Sequence, residues 1–428
     1  MSNPIRIGIA GLGTVGAGLI KIIQKNSNIL EARAGKPIKI IAVSALSKSK
    51  DRGVDLTAYE WEDDPVALAK RDDIDVFVEL IGGESGQAKK ATEEAIKHGK
   101  HVVTANKAML AIHGQELANA AENSGVNLRF EAAVAGGIPV IKTLTESLAG
   151  NNITRIMGVM NGTCNYILTR MEDTGLAYEE IFEEANQLGF LEADPNLDVG
   201  GIDAAHKLVL LSSIAYGTQV DFNGAILEGI GRITIEDIKA ASEMGYRIKL
   251  LGVSSLSDSG LSQTMRPCLV PLTSPLAQLN GGTNMIIIEG DAVGQIVLRG
   301  AGAGEGPTAS AVIADILDIA RGINIPVFGQ PANSLIKVPA ISTSVENSFY
   351  LRLNLKDEAG ILAKVSAALA NAGISIDRIR QEGHEKDAAP VIIVTHPTDR
   401  DTLNKAISEI EETSAAIDPP VVLRIESV

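Results

Sequence analysis

The sequence has few aromatic residues and few cysteines. One Trp, six Tyr and seven Phe are scattered along 428 residues, too few for the stacking platforms that bind single-stranded nucleic acid. Only Cys164 and Cys268 are present, far apart and without a second cysteine or a histidine at ligand spacing. These absences exclude a disulfide framework and a cysteine-based zinc site, and they fit the reducing cytoplasm.

Basic residues and long apolar runs are also scarce. Acidic residues outnumber Lys and Arg by 53 to 38, which gives a net charge of -15, and this charge opposes binding to nucleic acid and to anionic membranes. No apolar run reaches the roughly 18 residues of a membrane span. We interpret the glycine-interrupted apolar start, residues 5–20, as part of the fold and not as an export signal. Small molecules are the expected partners.

Length and composition predict several globular domains. At roughly 150 residues per domain we expect three, and 45% apolar with 21% charged residues is typical of chains with sizeable cores. Short apolar runs predict strands at residues 5–10, 38–43, 76–81, 101–104 and 126–130. Helical segments at 93–98 and 115–123 lie between the later strands. This alternation predicts an α/β fold with a doubly wound Rossmann-type sheet over residues 1–130.

The sequence pattern changes after residue 130. Glycine-containing loops between longer helices and strands predict a second, α+β domain over residues 131–306. A glycine-rich stretch at 300–307 precedes a helical run at 310–319, and we expect residues 307–340 to pack back onto the first domain. A polar linker is predicted at 341–348. Residues 349–428 have the order of a separate βαββαβ module.

The first loop has the pattern of a dinucleotide-binding turn, because Gly11-Leu12-Gly13-Thr14-Val15-Gly16 lies between a predicted strand and a helix. In such a turn the first glycine permits the tight bend and the second lets the backbone approach a pyrophosphate. The third lets helix and strand pack closely, while the helix N-terminus faces the anion. A purely structural glycine turn is the alternative.

The second predicted strand bears on the choice of cofactor. It ends at Ser44 without the acidic residue that would hold a ribose 2′-hydroxyl, and Ser47, Lys48, Lys50 and Arg52 follow. This pattern slightly favours NADP over NAD. A solvated basic loop is the alternative interpretation.

Lysines and carboxylates at two places suggest chemistry. Lys107 follows a predicted parallel strand at its carboxyl end, where open α/β sheets bind ligands. Asp203 and Lys207 are four residues apart, so a helix places both on one face, beside an apolar continuation at 208–211. Burial and a second ammonium such as Lys107 would favour proton release from Lys207, and Asp203 would oppose it. Solvated surface lysines are the alternative, and we interpret His206 as structural.

Five motifs, in the same order and at the same spacing, resemble the homoserine dehydrogenase family. They are Gly11-Leu12-Gly13-Thr14-Val15-Gly16, Thr104-Ala105-Asn106-Lys107, Glu131-Ala132-Ala133-Val134-Ala135-Gly136-Gly137-Ile138-Pro139, Asn161-Gly162-Thr163-Cys164-Asn165-Tyr166, and Gly189-Phe190-Leu191-Glu192-Ala193-Asp194-Pro195 continuing to Lys207. The resemblance also includes residues 300–311, and residues 349–428 are similar to an ACT regulatory domain. It therefore covers nearly the whole chain.

The resemblance implies reversible hydride transfer between NAD(P)H and L-aspartate 4-semialdehyde, giving L-homoserine on the route to threonine, methionine and isoleucine. Lys207 matches the family's proton donor, and Lys107 matches a lysine beside the nicotinamide and the reacting oxygen, where it would stabilise the developing alkoxide. Glu192, Asp198 and Asp203 match acidic residues around the substrate, where carboxylates would hold its ammonium group. The second domain would then carry catalysis and dimerisation.

Further positions are implied by the same resemblance. Gly162 and Thr163 match a polar wall of the substrate pocket, and Gly306 matches a loop glycine that approaches the cofactor. Another set of matching positions implies a monovalent cation, sodium by preference, held by oxygen ligands. These positions are Glu131 and the backbone carbonyls of Val134, Gly136 and Ile138. A plain domain-crossing turn is the alternative.

The ACT resemblance implies pairing between chains and an amino-acid effector. Residues 357–362 place Gly360 between the first strand and the first helix, as an ACT domain does, but Ala359 stands where a proline is common. Threonine is the expected effector, a purely dimerising module is the alternative, and we expect a homodimer or a homotetramer.

Two rival functions are open at this point. Aspartate-semialdehyde dehydrogenase shares the substrate but needs a reactive thiolate, for which Cys164 is the candidate. We interpret Cys164 as a small packed side chain. The second rival is a non-catalytic amino-acid sensor, in which the dinucleotide domain serves as a scaffold.

Overall fold

The computed structural model describes residues 3–192, 194–342, 346–381 and 388–428. The strands are β1 (Ile5–Ala10), β2 (Ile38–Ser44), β3 (Glu60–Glu62), β4 (Val76–Glu79), β5 (His101–Thr104), β6 (Leu128–Arg129), β7 (Ile153–Val159), β8 (Ile226–Leu227), β9 (Tyr246–Ser257), β10 (Gly260–Pro271), β11 (Thr283–Gly290), β12 (Gly294–Ala301), β13 (Ala340–Ile341), β14 (Phe349–Lys356), β15 (Ile376–Gln381), β16 (Ala388–Thr395) and β17 (Val421–Ile425).

The helices are α1 (Thr14–Ala34), α2 (Pro65–Ala69), α3 (Gln87–Lys97), α4 (Lys107–Asn123), α5 (Val140–Lys142), α6 (Gly162–Thr174), α7 (Tyr178–Gln187), α8 (Asn196–Val199), α9 (Ile202–Tyr216), α10 (Ile235–Glu243), α11 (Glu305–Arg321), α12 (Ile361–Asn371) and α13 (Arg400–Glu412). None of the helices in the described part of the chain is both long and apolar enough to cross a membrane.

The N-terminal sheet is parallel, with the strand order β3-β2-β1-β4-β5-β6. This is the order of a Rossmann fold, in which ligands bind outside the carboxyl ends of the strands where the order reverses. Both faces of β1 are covered: Ile7 and Ile9 are fully buried on one face and Ala10 on the other. Helix α11, from much later in the chain, packs against α1 and buries Val312 and Ile316 in the same core.

The second sheet runs through two regions of the chain without a break. Its order in the described residues is β12-β11-β7-β9-β10-β17-β14-β16-β15, with β8 and β13 also paired to β10. Strands β14 to β17 with α12 and α13 form a βαββαβ unit. This unit joins the sheet of the second domain where Cys268 and Leu269 of β10 pair in parallel with Arg424 and Ile425 of β17.

Packing between the two domains positions the site. Helix α9 lies on β9 and β10 and also contacts α4 of the Rossmann domain. The N-termini of α4 and α9 carry Lys107 and Asp203 respectively. Each of these residues is placed by its own domain, and the contact between the helices brings the two charged ends toward one cavity.

The predicted fold class is confirmed, but several boundaries differ from the prediction. Helix α4 begins at Lys107, well before the predicted residue 115, because the Asn106 side chain accepts a hydrogen bond from the Met109 amide at 3.1 Å and caps the helix. Helices α3 and α11 also begin earlier than predicted, at Gln87 and Glu305, and β6 is reduced to two residues. In the predicted linker 341–348, residues 343–345 lie outside the described residues.

Candidate active site

The glycine loop has the geometry that its motif predicts. Gly11 has φ +96°, and a Cβ there would lie 2.2 Å from the Leu80 carbonyl oxygen, so only glycine fits the turn. A Cβ on Gly16 would lie 2.1 Å from the Gly11 carbonyl oxygen, whereas one on Gly13 would meet nothing within 4 Å. The loop is therefore closed on its inner side at Gly11 and Gly16 and open at Gly13, where α1 begins with Thr14.

A cavity of about 520 Å³ lies beside this loop. It is lined by Gly11, Leu12 and Gly13 and by the end of β2 with the basic segment that follows it, including Ser44, Ser47, Lys50 and Arg52. The Arg52 guanidinium donates to three carbonyl oxygens: that of Leu12 at 3.0 Å, that of Lys50 at 2.7 Å and that of Ser47. Arg52 thus ties the basic segment to the glycine loop and carries a positive charge beside it.

A second cavity, of about 540 Å³, contains the predicted chemical groups. Its walls come from the first turn of α1, the residues that follow β5, and the second domain. The predicted residues that line it are Val15, Lys107, Gly162, Thr163, Glu192, Asp198, Asp203 and Lys207. Val15, in the first turn of α1, therefore faces the lysines and carboxylates across one cavity.

Asp203 bridges the two lysines. Its Oδ1 lies 2.8 Å from Nζ of Lys107, and its Oδ2 accepts a hydrogen bond from Nζ of Lys207, also at 2.8 Å. The Lys207 ammonium donates in addition to the Met160 carbonyl oxygen at 2.8 Å. Because an ammonium has three donors, one is left for a ligand. The side chain of Lys207 is 9% exposed, so this ion pair differs from the solvated i,i+4 pair that was the alternative.

The electrostatics of the bridge favour a charged Asp203 carboxylate and a charged Lys107 ammonium. Burial alone would raise the pKa of Asp203, but the ammonium groups of Lys207 and Lys107 outweigh it and hold this pKa well below its usual range. Burial would lower the pKa of Lys107, yet the attraction of Asp203 raises it. The pKa of Glu192 is raised, chiefly by burial, against the opposing effect of Lys107. Lys107 therefore acts as a fixed positive charge.

Asn161, which the sequence reasoning did not assign a role, connects the carboxylates. Its Nδ2 donates to Oδ1 of Asp198 at 2.9 Å and to Oδ2 of Asp203 at 3.4 Å, and its Oδ1 caps α6 by accepting from the Cys164 amide at 2.8 Å. The other oxygen of Asp198 accepts from the Glu192 amide at 3.0 Å. The sequence signal that could have identified it is an asparagine directly before the first residue of α6, which is the usual N-cap pattern.

The remaining predicted substrate residues form one wall. Thr163 Oγ1 donates to the Phe190 carbonyl oxygen at 3.0 Å, and the Phe190 ring stacks on Tyr166 with centroids 4.6 Å apart. A Cβ on Gly162 would lie 2.6 Å from the Gly282 carbonyl oxygen. Since Asp198 and Asp203 are already engaged, Glu192 is the carboxylate of the three with the most freedom to meet a cationic ligand.

Gly306 lies in a helix and not in the loop that was expected for it. It lies in the first turn of α11, which begins at Glu305, and the cavity lining comes instead from Gly302, Ala303 and Gly304 just before the helix. Helix α11 begins early enough to include Gly306 in its exposed first turn. This lining backbone therefore lies two to four residues N-terminal to Gly306.

Cys164 and His206 are packed side chains. Cys164 is fully buried and its Sγ donates to the Asp198 carbonyl oxygen at 3.2 Å. Burial, together with the negative charge of Asp198, raises the pKa of this thiol well above its ordinary value. A thiolate nucleophile is therefore disfavoured. The His206 ring packs on Phe222, with ring centroids 4.5 Å apart, and burial lowers the pKa of His206.

The loop 131–138, predicted to hold a cation, is buried and has an unusual backbone. Ala135 and Gly136 have φ +56° and +46°. The Glu131 carboxylate accepts hydrogen bonds from the amides of Ile141 at 3.0 Å and Lys142 at 2.9 Å. Both oxygens of the Glu131 carboxylate are thus engaged by main-chain donors. Within the described ranges, no cluster of three or more His, Cys, Asp or Glu side chains is arranged for a metal.

Fold and site together define an NAD(P)-dependent oxidoreductase, with a Rossmann sheet whose ligand-binding edge faces a cavity of lysines and carboxylates. Residues 11–131 match the family model "Homoserine dehydrogenase, NAD binding domain", and residues 139–317 match "Homoserine dehydrogenase". Residues 349–414 match the ACT domain. The chain belongs to the homoserine dehydrogenase family, which confirms the resemblance.

Similar proteins support this assignment over the full length. The chain is 42% identical to a homoserine dehydrogenase of Neisseria gonorrhoeae over 434 residues, covering 100% of this chain and 99% of that one. A crystal structure of a homoserine dehydrogenase from Thiobacillus denitrificans is similar with a TM-score of 0.93 and 39% identity, covering 99% of each chain. A hyperthermophilic archaeal homoserine dehydrogenase in complex with NADPH has a TM-score of 0.65 and 26% identity, covering 75% of this chain and 99% of that one.

Proposed function

We propose that the protein catalyses the reversible, NAD(P)H-dependent reduction of L-aspartate 4-semialdehyde to L-homoserine, a step toward threonine, methionine and isoleucine. The observation that carries the proposal is the bridge from Lys107 through Asp203 to Lys207 in a cavity that Val15, in the first turn of α1, also lines. The test is to follow NADPH and NADH oxidation with aspartate semialdehyde, and their formation with homoserine. An inactive protein would refute the proposal and favour the sensor alternative.

Each residue of the bridge has a proposed role. A bound nicotinamide would supply the hydride for the aldehyde carbon. Lys207 donates a proton from Nζ to the carbonyl oxygen as the alcohol forms, which its free donor allows. The Lys107 ammonium stabilises the negative charge that develops on this oxygen, and Asp203 holds both ammonium groups in position. The reaction balances, because the aldehyde carbon gains the hydride, the carbonyl oxygen gains the proton, and the product is a neutral alcohol group.

The substrate has an ammonium group that needs a negative partner. We assign this role chiefly to Glu192, because the oxygens of Asp198 and Asp203 are committed to protein donors. Asp198 and Asp203 add negative charge to the same side of the cavity. Gly162 and Thr163 form the wall against which the amino acid would lie. A Glu192→Gln variant should raise KM for aspartate semialdehyde more than it lowers kcat.

NADP is proposed as the preferred cofactor. The open Gly13 and the N-terminus of α1 suit a pyrophosphate, and the end of β2 offers Arg52 and Lys50 rather than a carboxylate at Ser44. Lys107 and the backbone before Gly306 border the nicotinamide side of the cavity. Two positively charged side chains beside the adenosine half would favour a 2′-phosphate.

We also propose a structural monovalent cation, sodium by preference, held by Glu131 and the main-chain carbonyls of Val134, Gly136 and Ile138. An all-oxygen donor set suits a hard ion. Its role would be to hold the backbone at Ala135 and Gly136, which adopts positive φ. Thermal unfolding in sodium chloride and in choline chloride of equal ionic strength tests this, and equal midpoints would argue against the ion.

The proposed domains are residues 1–130 together with 307–340, residues 131–306, and residues 349–428. Packing of α11 on α1 supports the discontinuous first domain. We propose an amino-acid effector, threonine first, at the ACT module, where Gly360 with φ +88° is the N-cap of α12. Activity measured against threonine concentration tests this, and an unresponsive enzyme would leave the module a dimerising role.

We also propose a homodimer or a homotetramer, which light scattering can test. The two free, buried cysteines fit a cytoplasmic location.

A further inference from the structure

Three arginines meet where the catalytic sheet joins the ACT module. Cys268 of β10 pairs with Arg424 of β17, and Arg266 is two residues before Cys268. Because alternate residues of a strand share a face, Arg266 and Arg424 lie on the same side of the sheet. Phe349 of β14 pairs with Arg424, and the guanidinium carbon of Arg400, at the start of α13, lies 5.7 Å from the Phe349 ring centroid. We call these arginines the junction arginines.

Two of the junction arginines, Arg266 and Arg424, are buried, Arg400 is half-buried, and all three have donors without a partner in the described part of the chain. Arg266 is 8% exposed and Arg424 is 6% exposed. Among the described residues, no hydrogen-bond partner reaches Nε of Arg266, Nε of Arg424 or Nη1 of Arg400. A buried charged donor without a partner is costly to the folded protein. A fold that gathers three such groups at one place is better explained by a ligand with acceptor oxygens than by packing alone.

The charges around the junction also leave a positive excess. Glu426 pairs with Arg155 at 2.9 Å and also contacts Arg424. Glu228 is the second carboxylate near enough to act on Arg266 and Arg400. Four guanidinium groups therefore share two side-chain carboxylates. Burial lowers the pKa of both Arg266 and Arg400, and the positive charge of Arg424 lowers each further.

We propose that the junction arginines bind a small oxyanion, either free, as inorganic phosphate, or as the α-carboxylate of an amino acid. Guanidinium groups match planar carboxylates and phosphates with paired donors. Arg266 belongs to the catalytic sheet, whereas Arg400 and Arg424 belong to the ACT module. The anion would therefore connect the two parts of the chain. This site is separate from the substrate cavity, and its test does not depend on the proposed reaction.

Isothermal titration calorimetry on the full-length protein tests the proposal. The titrants are sodium phosphate, L-threonine, and L-threoninamide, which lacks the carboxylate. The variant is Arg400→Gln, and the matched control is Arg378→Gln, a more exposed arginine of the same module. We expect an oxyanion to bind wild type and the control equally. The Arg400→Gln variant should bind it on the order of tenfold more weakly, which is the loss of one charge-assisted hydrogen bond.

The titrants distinguish the two sources of the oxyanion. Binding of phosphate alone indicates a free anion. Binding of threonine but not of threoninamide, with competition by phosphate, indicates an amino-acid carboxylate. Circular dichroism checks that Arg400→Gln is folded, and Arg266→Lys, which keeps the charge but loses the planar fork, should also weaken binding. The proposal is overturned if neither phosphate nor threonine binds wild type at millimolar concentration, or if the variants bind as wild type does.

Discussion

Replacing Lys207 by methionine is the most direct test of the proposed chemistry. Methionine keeps a similar length but removes the ammonium that would donate the proton. The change leaves Asp203 paired with Lys107 at 2.8 Å, so no buried carboxylate loses all of its partners. The variant loses one of two ion pairs and the bond to the Met160 carbonyl oxygen. We therefore expect it to fold, at a cost of about 1–3 kcal/mol in the free energy of unfolding.

The catalytic effect should be much larger than the effect on stability. Loss of a general acid lowers kcat by roughly 10²- to 10⁴-fold, which corresponds to about 2.7–5.4 kcal/mol in the activation free energy. Cofactor affinity should stay close to wild type, because Lys207 does not line the cavity beside the basic segment. Stopped-flow absorbance at the NADPH band measures kcat, and fluorescence titration measures the dissociation constant of NADPH.

Two results would contradict this reasoning. A Lys207→Met enzyme with near-wild-type kcat would remove Lys207 from the role of proton donor. A large loss of NADPH affinity would mean that the residue acts on the cofactor and not on the carbonyl oxygen. Lys239→Met, at an exposed position of α10, is the control for general effects of losing a lysine and should leave both constants unchanged.

Three further predictions concern the same domains. Asp203→Asn should lower stability by about 3–5 kcal/mol at neutral pH, because it leaves two ammonium groups without their carboxylate. Since the folded-state pKa of Asp203 is depressed, this contribution is present above the unfolded pKa of about 3.9 and is lost as the pH falls through the folded value. The deficit of the variant in denaturant unfolding should therefore shrink in acid, and a constant deficit would contradict the ion-pair explanation. Cys164→Ser should keep kcat within about twofold, because a hydroxyl can donate to the Asp198 carbonyl as the thiol does; abolished turnover would restore the thioacyl mechanism. Arg52→Gln should raise KM for NADPH by about tenfold or more and KM for NADH much less, and an equal effect on both would mean that Arg52 only orders the loop.

The sequence predicted what depends on short-range patterns. The glycine spacing indicated a turn that the φ angle of Gly11 and the open side of Gly13 bear out. The four-residue spacing of Asp203 and Lys207 indicated a shared helix face, and Nζ of Lys207 donates a hydrogen bond to Oδ2 of Asp203. Both patterns lie within one element or one turn, where local geometry is fixed by backbone dihedrals and helix periodicity.

Contacts between distant parts of the chain were not predictable in the same way. The bond between Lys107 and Asp203 depends on how α4 packs against α9, and side-chain packing across two domains leaves no periodic signal in either segment. The same limit applies to the parallel pairing of β10 with β17, which are separated by about 150 residues of sequence. The position of Gly306 depended on where α11 begins, and helix ends are the least reliable part of a sequence-based assignment.

The pairing of β10 with β17 gives the C-terminal module a direct mechanical connection to the chemistry. A module on a flexible tether could rotate without disturbing the rest of the enzyme, but here a rotation would strain main-chain hydrogen bonds at Cys268 and Leu269. Strand β10 pairs along its length with β9, and α9 lies across both strands. A displacement of the module would therefore be transmitted to Asp203 through β10, β9 and α9.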